Sequence, residues 1–410
     1  MPRTWALPHS INEPIRIGVY TDLVFREDEG GYSTDKSFIL FIAALASKLG
    51  EVVLFGRRHP TRGRAPYGLP NNHVRFVPFP YYPDATSIGG VLSSLSGSRR
   101  AFEAELDQLD AVWLFGPHPV AYELARVARR RRLAVFLGVR QDYPRYIGHR
   151  LPSRIWLWAV PVAHALEFAF RRLARTAPTV VVGDALASTY RGRGGRVLDT
   201  TVSLVRENDV ADVKEAMSRC WDEKVRLLTV GRLDPEKNPL LLPEIVARLH
   251  EYHEGWQLTV VGSGSYDRRV AERASALGVA DAIQLTGEVP FGDSLWELYT
   301  SSSAFLHVSL TEGVPQVLHE AAAAGLPVVA TDVGGVRAAL DNGRLGLVVP
   351  PRDAVAAVEA LERLRTDYVL RRRLVEAGLA AARARTLDAE VDRVAEFFRS
   401  QLAAALTVTT

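Results

Sequence analysis

Cysteine is nearly absent from this 410-residue chain: Cys220 stands alone. That excludes a disulfide framework and any zinc site built from clustered cysteines. Lysine is almost as scarce, at positions 36, 48, 214, 224 and 237 among 50 basic residues, so a lysine inside a motif stands out. No uninterrupted apolar run reaches the ~18 residues of a membrane span. The nearest approach, residues 155–170, is broken by Pro161, His164 and Glu167. Residues 1–14 lack the apolar core of a secretory signal; with cysteine pairs also missing, a reducing cytoplasm is expected. Neither sign of charge dominates, 50 basic against 47 acidic residues giving +3. With 47% hydrophobic and 24% charged residues, the composition is that of a folded globular protein. Two motifs are also missing. No Asp-x-Asp occurs, and Gly262-Ser263-Gly264 does not extend to a dinucleotide fingerprint, because Asp267 occupies the third glycine position.

What is present is alternation. At roughly 150 residues per domain the length suggests two or three domains. In the N-terminal half, strands are expected at 15–20, 51–55, 111–115, 133–139 and 180–182. A polar loop containing Gly30 and Gly31 leads into a helix over 37–49, and an Arg-rich helix spans 120–132. Residues 206–225 read as a connection. Beyond it, strands are expected at 226–230, 257–261, 282–286, 303–308, 326–330 and 346–349. Helices fall at 240–253, 266–277, 293–300, 315–324, 334–341, 353–365, 367–382 and 387–406. Strands alternating with helices predict parallel βαβ units and doubly wound sheets.

Charge divides the chain. Residues 1–205 hold 27 basic and 17 acidic residues (27 − 17 = +10), and residues 206–410 hold 23 and 30 (23 − 30 = −7). The basic excess gathers at Arg57, Arg58, Arg62 and Arg64, at Arg129–Arg132, and near Arg150, Arg154, Arg171, Arg172 and Arg175. It is either a set of solvated helix faces or a surface for an anionic acceptor or an anionic membrane.

Three motifs carry chemistry. In Thr311-Glu312-Gly313-Val314-Pro315-Gln316-Val317-Leu318-His319-Glu320, Pro315 suits the first turn of a helix. Glu312 then lies in the loop before it and Glu320 within it. Free N–H groups near Gln316 and Val317 form an anion site; the flanking carboxylates suit hydroxyls attached to that anion. The other reading is a capping Glu and an amphipathic-helix Glu. In Gly231-Arg232-Leu233-Asp234-Pro235-Glu236-Lys237, directly after a strand, Arg232 and Lys237 offer a fork and a point charge to one diphosphate; the alternative is a charged surface loop. Gly262-Ser263-Gly264 permits close approach of a ligand or makes a tight turn.

In order along residues 226–365 come Gly231-Arg232 with Lys237, Val261-Gly262-Ser263-Gly264, and Leu285-Thr286-Gly287-Glu288-Val289. Glu312 and Glu320, Ala324-Gly325-Leu326-Pro327-Val328-Val329-Ala330-Thr331, Val333-Gly334-Gly335 and Gly346-Leu347-Val348-Val349-Pro350 follow. This series resembles the C-terminal domain of the retaining glycosyltransferases of family 4. The N-terminal half resembles the family more loosely.

The resemblance implies a GT-B fold, α/β, with two Rossmann-like doubly wound domains facing across a cleft. The domains would be 1–205 on the acceptor side and 206–386 on the nucleotide-sugar side, with a C-terminal helix, 387–410, packing back toward the first. It also implies a metal-independent transferase with no cofactor, moving a sugar from a UDP- or GDP-type donor to a glycan, lipid-linked or small-molecule acceptor. Arg232 and Lys237 would neutralise the diphosphate, Glu312 would contact the donor sugar and Glu320 the ribose. Backbone at Gly287, Val289 and Pro290 would meet the base. Gly262, Gly264, Gly313, Val314, Gln316 and Val317 would line the donor site, and Gly30 and Gly31 would cover the phosphates. His118 is the candidate active-site histidine, the alternative being a turn histidine. Arg140, Asp142 and Tyr143, in a loop without a family counterpart, are candidates for the acceptor. No nucleic-acid partner is expected, and the oligomeric state stays open. A non-catalytic nucleotide-sugar-binding or coupling protein and an epimerase or phosphorylase on the same fold are the rival functions.

Overall fold

The computed structural model describes residues 14–70, 72–84, 87–144, 159–191 and 196–407. The chain divides into two compact units, the first ending at Val202 and resuming at Asp388, the second spanning Ser203–Leu387. Trp156 and Trp158, with Arg150 and Arg154, lie outside the described residues.

Unit 1 is built on strands β1 (Ile15–Asp28), β2 (Gly31–Thr34), β3 (Gly50–Arg58), β4 (Tyr67–Gly68), β5 (Val74–Phe79), β6 (Ala111–Gly116), β7 (Ala134–Val139), β8 (Thr179–Val182) and β9 (Val197–Thr200). Seven of these pair in parallel in the order β5-β3-β1-β6-β7-β8-β9. Unbroken burial over 17–21 of β1, 52–57 of β3 and 111–114 of β6 fits a sheet covered on both faces. The expected Gly30–Gly31 loop is instead a hairpin: β1 continues to Asp28 and returns antiparallel as β2. The turn is closed by Gly30 N–H donating to Asp28 Oδ1 at 2.8 Å, with Gly31 at φ 117°. The final helix, Leu387–Thr407, belongs to this unit. Its Phe398 is fully buried between Trp113 (5.2 Å) and Phe136 (4.5 Å). Its Glu390, also fully buried, accepts from Thr200 Oγ1 at 2.8 Å and from Arg393 Nη1 at 2.9 Å.

Unit 2 contains β10 (Val225–Val230), β11 (Trp256–Val261), β12 (Ile283–Gly287), β13 (Ala304–His307), β14 (Val328–Thr331) and β15 (Leu347–Val349), all parallel in the order β12-β11-β10-β13-β14-β15. Apolar side chains fill both faces. One cluster gathers Trp256, Ile245, Leu361 and Leu374, the other Tyr299, Phe305, Leu318 and Leu326. Both units are therefore doubly wound α/β domains. Among the described residues no helix is long and apolar enough to cross a membrane.

Candidate active site

In an open parallel sheet a ligand meets the carboxyl ends of the strands where the strand order reverses. In unit 2 that point lies between β10 and β13, where both loops carry charge. After Val230 the chain runs through Gly231 to one 3-10 turn, Pro235–Lys237, and Asn238 reverses it in the left-handed conformation (φ 53°, ψ 42°). The Asp234 carboxylate fixes this loop by accepting from Ser265 N and Oγ, both at 3.0 Å. Leu310 N–H donates to the Glu236 carbonyl at 2.9 Å, tying it to the segment after β13.

The loop geometry brings Lys237 to Glu312, 75 residues away. Nζ donates to Oε1 at 2.5 Å, and Nε2 of the buried His307, last residue of β13, lies 3.1 Å from the same oxygen. Burial alone would raise the Glu312 carboxyl, but the His307 ring and the Lys237 ammonium outweigh it and hold it down to about 2. The carboxylate is thus ionised at neutral pH. It occupies one of three ammonium donors.

Arg232 does not join this pair. It is half exposed and ion-paired to Asp234 and, at 2.6 Å, to Glu236. Exposed pairs of this kind are worth up to about 1 kcal/mol each, so exchanging them for an arriving anion is a small rearrangement.

The glycines divide into two sorts. A Cβ on Gly262 would lie 2.0 Å from the Gly231 carbonyl oxygen, and one on Gly264 2.5 Å from Leu233 backbone. Both are required by packing of two loops rather than by open space for a ligand. In the same way, Cβ atoms on Gly334 and Gly335 would meet the carbonyls of Glu312 at 2.0 Å and Gly313 at 2.1 Å. That close approach holds the Glu312 loop in place. Gly231 and Gly313, by contrast, face open space. Gly287 (φ 73°) ends β12 and its carbonyl accepts from Gly262 N at 2.8 Å; Val289 packs on the Tyr299 cluster and Pro290 is exposed.

The helix after Glu312 begins at Gln316, not Pro315. Pro315 is the N-cap in extended conformation (φ −74°, ψ 110°), and Gln316 and Val317 are the half-buried first residues. A proline lacking N–H thus removes no donor from the helical turn itself. Gly313 and Val314 are exposed before it. Glu320, one turn on, is 7% exposed and accepts from the Tyr299 hydroxyl at 2.8 Å. Burial pushes its carboxyl up to about 7, against the smaller lowering from that bond. The folded state therefore holds a proton that the unfolded chain releases near pH 4.5, and stability falls as pH rises from about 4.5 to about 7. Glu320→Gln keeps the acceptor for Tyr299 and removes the ionisation. At pH 8 it is expected to raise the Tm of unit 2 by several degrees, about 2–4 °C per kcal/mol for a domain of this size. At pH 5 it should be nearly neutral. Calorimetry at the two pH values checks this, and equal shifts at both would show that Glu320 does not titrate.

Unit 1 holds His118 as N-cap of the helix Pro119–Arg130, following the cis bond Gly116–Pro117. Nδ1 accepts from Val120 N–H at 3.3 Å and faces the Tyr20 hydroxyl at 3.1 Å; Nε2 lies 3.4 Å from the Tyr82 hydroxyl and 3.7 Å from Asp22 Oδ2. Burial lowers its pKa, with Asp22 opposing and Arg57 reinforcing the effect. Sequence reasoning placed Arg57 in a basic surface; it is 6% exposed and turned inward onto Asp22 and the carbonyls of Tyr82 and Pro83. Arg140 stacks over Phe38 at 4.0 Å, with Asp142 exposed and Tyr143 half-buried beyond it. Gly30 and Gly31 lie at the hairpin tip. Sequence reasoning missed His307, Asp22, Tyr20 and Tyr82. A lone histidine ending an apolar strand was the one visible signal. Among the described residues no three His, Cys, Asp or Glu side chains are grouped to hold a metal.

Comparison with known proteins adds the following. Residues 215–380 match the family described as glycosyl transferases group 1. A D-inositol 3-phosphate glycosyltransferase of Acidothermus cellulolyticus is 34% identical over 217 residues, 51% of this chain and 48% of that protein. A GDP-mannose-dependent alpha-mannosyltransferase of Mycolicibacterium smegmatis is 29% identical over 312 residues, 74% and 76% of the two chains. The chain thus spans about half the length of the first of these relatives. Sucrose-phosphate synthase from Thermosynechococcus elongatus has a similar structure, with TM-score 0.72 and 20% identity over 95% of this chain and 100% of that one.

Proposed function

The chain belongs to the group 1 glycosyl transferases through residues 215–380 and has the GT-B fold, and from that premise we propose that it moves a sugar from a nucleoside-diphosphate donor to a hydroxyl acceptor with retention at the anomeric carbon. The observation that carries the reading is the Lys237–Glu312–His307 group at the β10–β13 switch point. It stands beside the N-terminus of the helix Gln316–Ala323.

As the anomeric bond breaks, negative charge grows on the leaving diphosphate while the sugar becomes oxocarbenium-like. Lys237 and the positive dipole end of the helix Gln316–Ala323 would stabilise that charge, the largest contribution such a site can make. Arg232, released from its surface carboxylates, would add a forked contact. This cationic arrangement supports a reaction that needs no metal. Glu312, ionised and held by two partners, would orient the donor sugar through its hydroxyls. Glu320 would take the ribose hydroxyls in its charged form. The departing phosphate would accept the acceptor's proton on the face from which it leaves, which is what makes retention the expected outcome. The relatives named for GDP-mannose and for D-inositol 3-phosphate favour a guanosine donor and an acceptor bearing polyol hydroxyls.

A thermal-shift series with nucleoside diphosphates tests the donor site. UDP or GDP at a hundred times its Kd should add about 2.7 kcal/mol to the stability of the binding unit. No shift with any nucleoside diphosphate removes the donor assignment. Nucleotide release that requires acceptor, with an α-linked product from an α-linked donor by NMR, separates transfer with retention from epimerisation and from binding alone.

A further inference from the structure

Unit 1 has a switch point of its own. β1 pairs with β3 on one side and β6 on the other, so the crevice at their carboxyl ends is where a ligand of this unit belongs. The register of β1 against β3 slips there: Tyr20 pairs with Phe55 and Val24 with Arg57, so Thr21, Asp22 and Leu23 together oppose Gly56. Bulges of this kind re-aim a side chain. Gly56 makes room for this one, since a Cβ would lie 2.5 Å from the Phe25 ring and 3.3 Å from the Leu23 carbonyl oxygen.

The side chain re-aimed is Asp22, and it is braced from beneath. Arg57 Nε lies 3.0 Å from Oδ1, and Arg57 Nη2 donates to the Asp22 carbonyl at 2.9 Å. The Tyr82 hydroxyl donates to the same Oδ1, and His118 Nε2 stands 3.7 Å from Oδ2. Arg57, Tyr82, His118 and Tyr20 are all nearly sealed from solvent, while the Asp22 side chain keeps 26% of its surface. Beside it the buried Thr21 hydroxyl has no hydrogen-bond partner among the described residues. A carboxylate offers about four acceptor positions, and the bracing engages one oxygen more fully than the other.

We propose that Asp22 is the residue through which unit 1 holds the acceptor, its propped carboxylate accepting hydrogen bonds from the hydroxyls of a neutral polyol. The inference rests on the transferase reading above and supplies its acceptor class. Arg57 cancels the carboxylate's charge at contact distance, so the site favours neutral hydrogen-bond donors over ammonium groups and offers nothing to a free anion. Replacing Asp22 by Asn preserves shape and the acceptor for Tyr82 but exchanges half the outward acceptor capacity for a donor.

The test uses the full chain and saturation-transfer NMR with myo-inositol and methyl α-D-glucopyranoside, glucosamine as the cationic probe and inorganic phosphate as the anionic one. The neutral polyols should bind the natural protein. Asp22→Asn should weaken them about tenfold, the size of one lost charge-assisted hydrogen bond, and leave phosphate unchanged. Should Asp22→Asn fail to fold, Asp22→Glu, which retains the Arg57 ion pair but moves the carboxylate outward, carries the same expectation. Absence of polyol binding, equal binding by the folded variants, or glucosamine binding about tenfold tighter than the glucoside overturns the proposal. The nucleoside-diphosphate shift measured on the same variants keeps the two readings apart. A retained shift without polyol binding sinks only the Asp22 assignment, and polyol binding without any shift sinks only the donor site.

Discussion

Lys237→Ala is expected to lower kcat by about 10²–10³, the cost of losing one preorganised group aimed at charge that develops in the transition state. The loss belongs in kcat because, in the proposed reaction, the ammonium would meet the diphosphate most strongly as it departs. Removing Lys237 also leaves the Glu312 carboxylate with only His307, so its pKa moves up from about 2 and the loop loses its cross-link to the 3-10 turn. Lys237→Arg keeps the charge but, as a planar fork on a longer reach, does not reproduce a point charge at that place, and partial recovery is expected. Steady-state kinetics with the nucleotide sugar whose diphosphate stabilises the protein measures this. A loss confined to KM, or smaller than about tenfold, would place Lys237 outside the leaving-group contact.

The second large effect concerns stability. Phe398→Ala should cost about 3–5 kcal/mol, as for other large buried aromatics. Phe398 is fully enclosed and its ring is edge-on to Trp113 and Phe136 from β6 and β7. At about 2–4 °C per kcal/mol for a unit of this size, the Tm of unit 1 should fall by roughly 6–20 °C. Differential calorimetry that resolves the two units tests it: the transition of Ser203–Leu387 should move little. A drop under about 1 kcal/mol would mean that this helix is held chiefly by Glu390 and by its other buried side chains, such as Val391 and Val394.

The sequence shows its fold class clearly because alternation is a local property. The unit 2 strands stand within two residues of where apolar runs between turn residues put them, as at 225–230 and 256–261. Where local signal fails, there is a physical reason. The helix Ile88–Glu103 buries Ser94 and Ser98 with few apolar side chains, so its pattern is faint. Residues 21–28 read as polar loop because the second half of β1 is only half-buried. The candidate site divides the same way. Lys237 and Glu312 are legible in motifs, but their contact depends on two loops meeting. Asp22, Arg57 and Tyr82 are separated by 25 to 60 residues and come together only through strand register, which no window of sequence displays. Arg57 even points the wrong way from sequence, since an arginine in a basic run is ordinarily solvated.

Unit 1 is not continuous in the chain. It is interrupted after Val202 and completed by the helix that supplies Phe398 and Glu390, and where the chain leaves and re-enters, Leu387 N–H donates to the Val205 carbonyl at 2.7 Å. During synthesis the strands of unit 1 emerge before unit 2, yet the aromatic layer over Trp113 and Phe136 cannot close until the helix Leu387–Thr407 is made. Unit 2 is whole about two dozen residues earlier, so on the ribosome the second unit is the first able to fold. A nascent chain stalled near residue 387 would then carry a finished unit 2 behind an unsealed unit 1. Truncation within the helix Leu387–Thr407 thus damages the unit whose strands precede unit 2 in the chain.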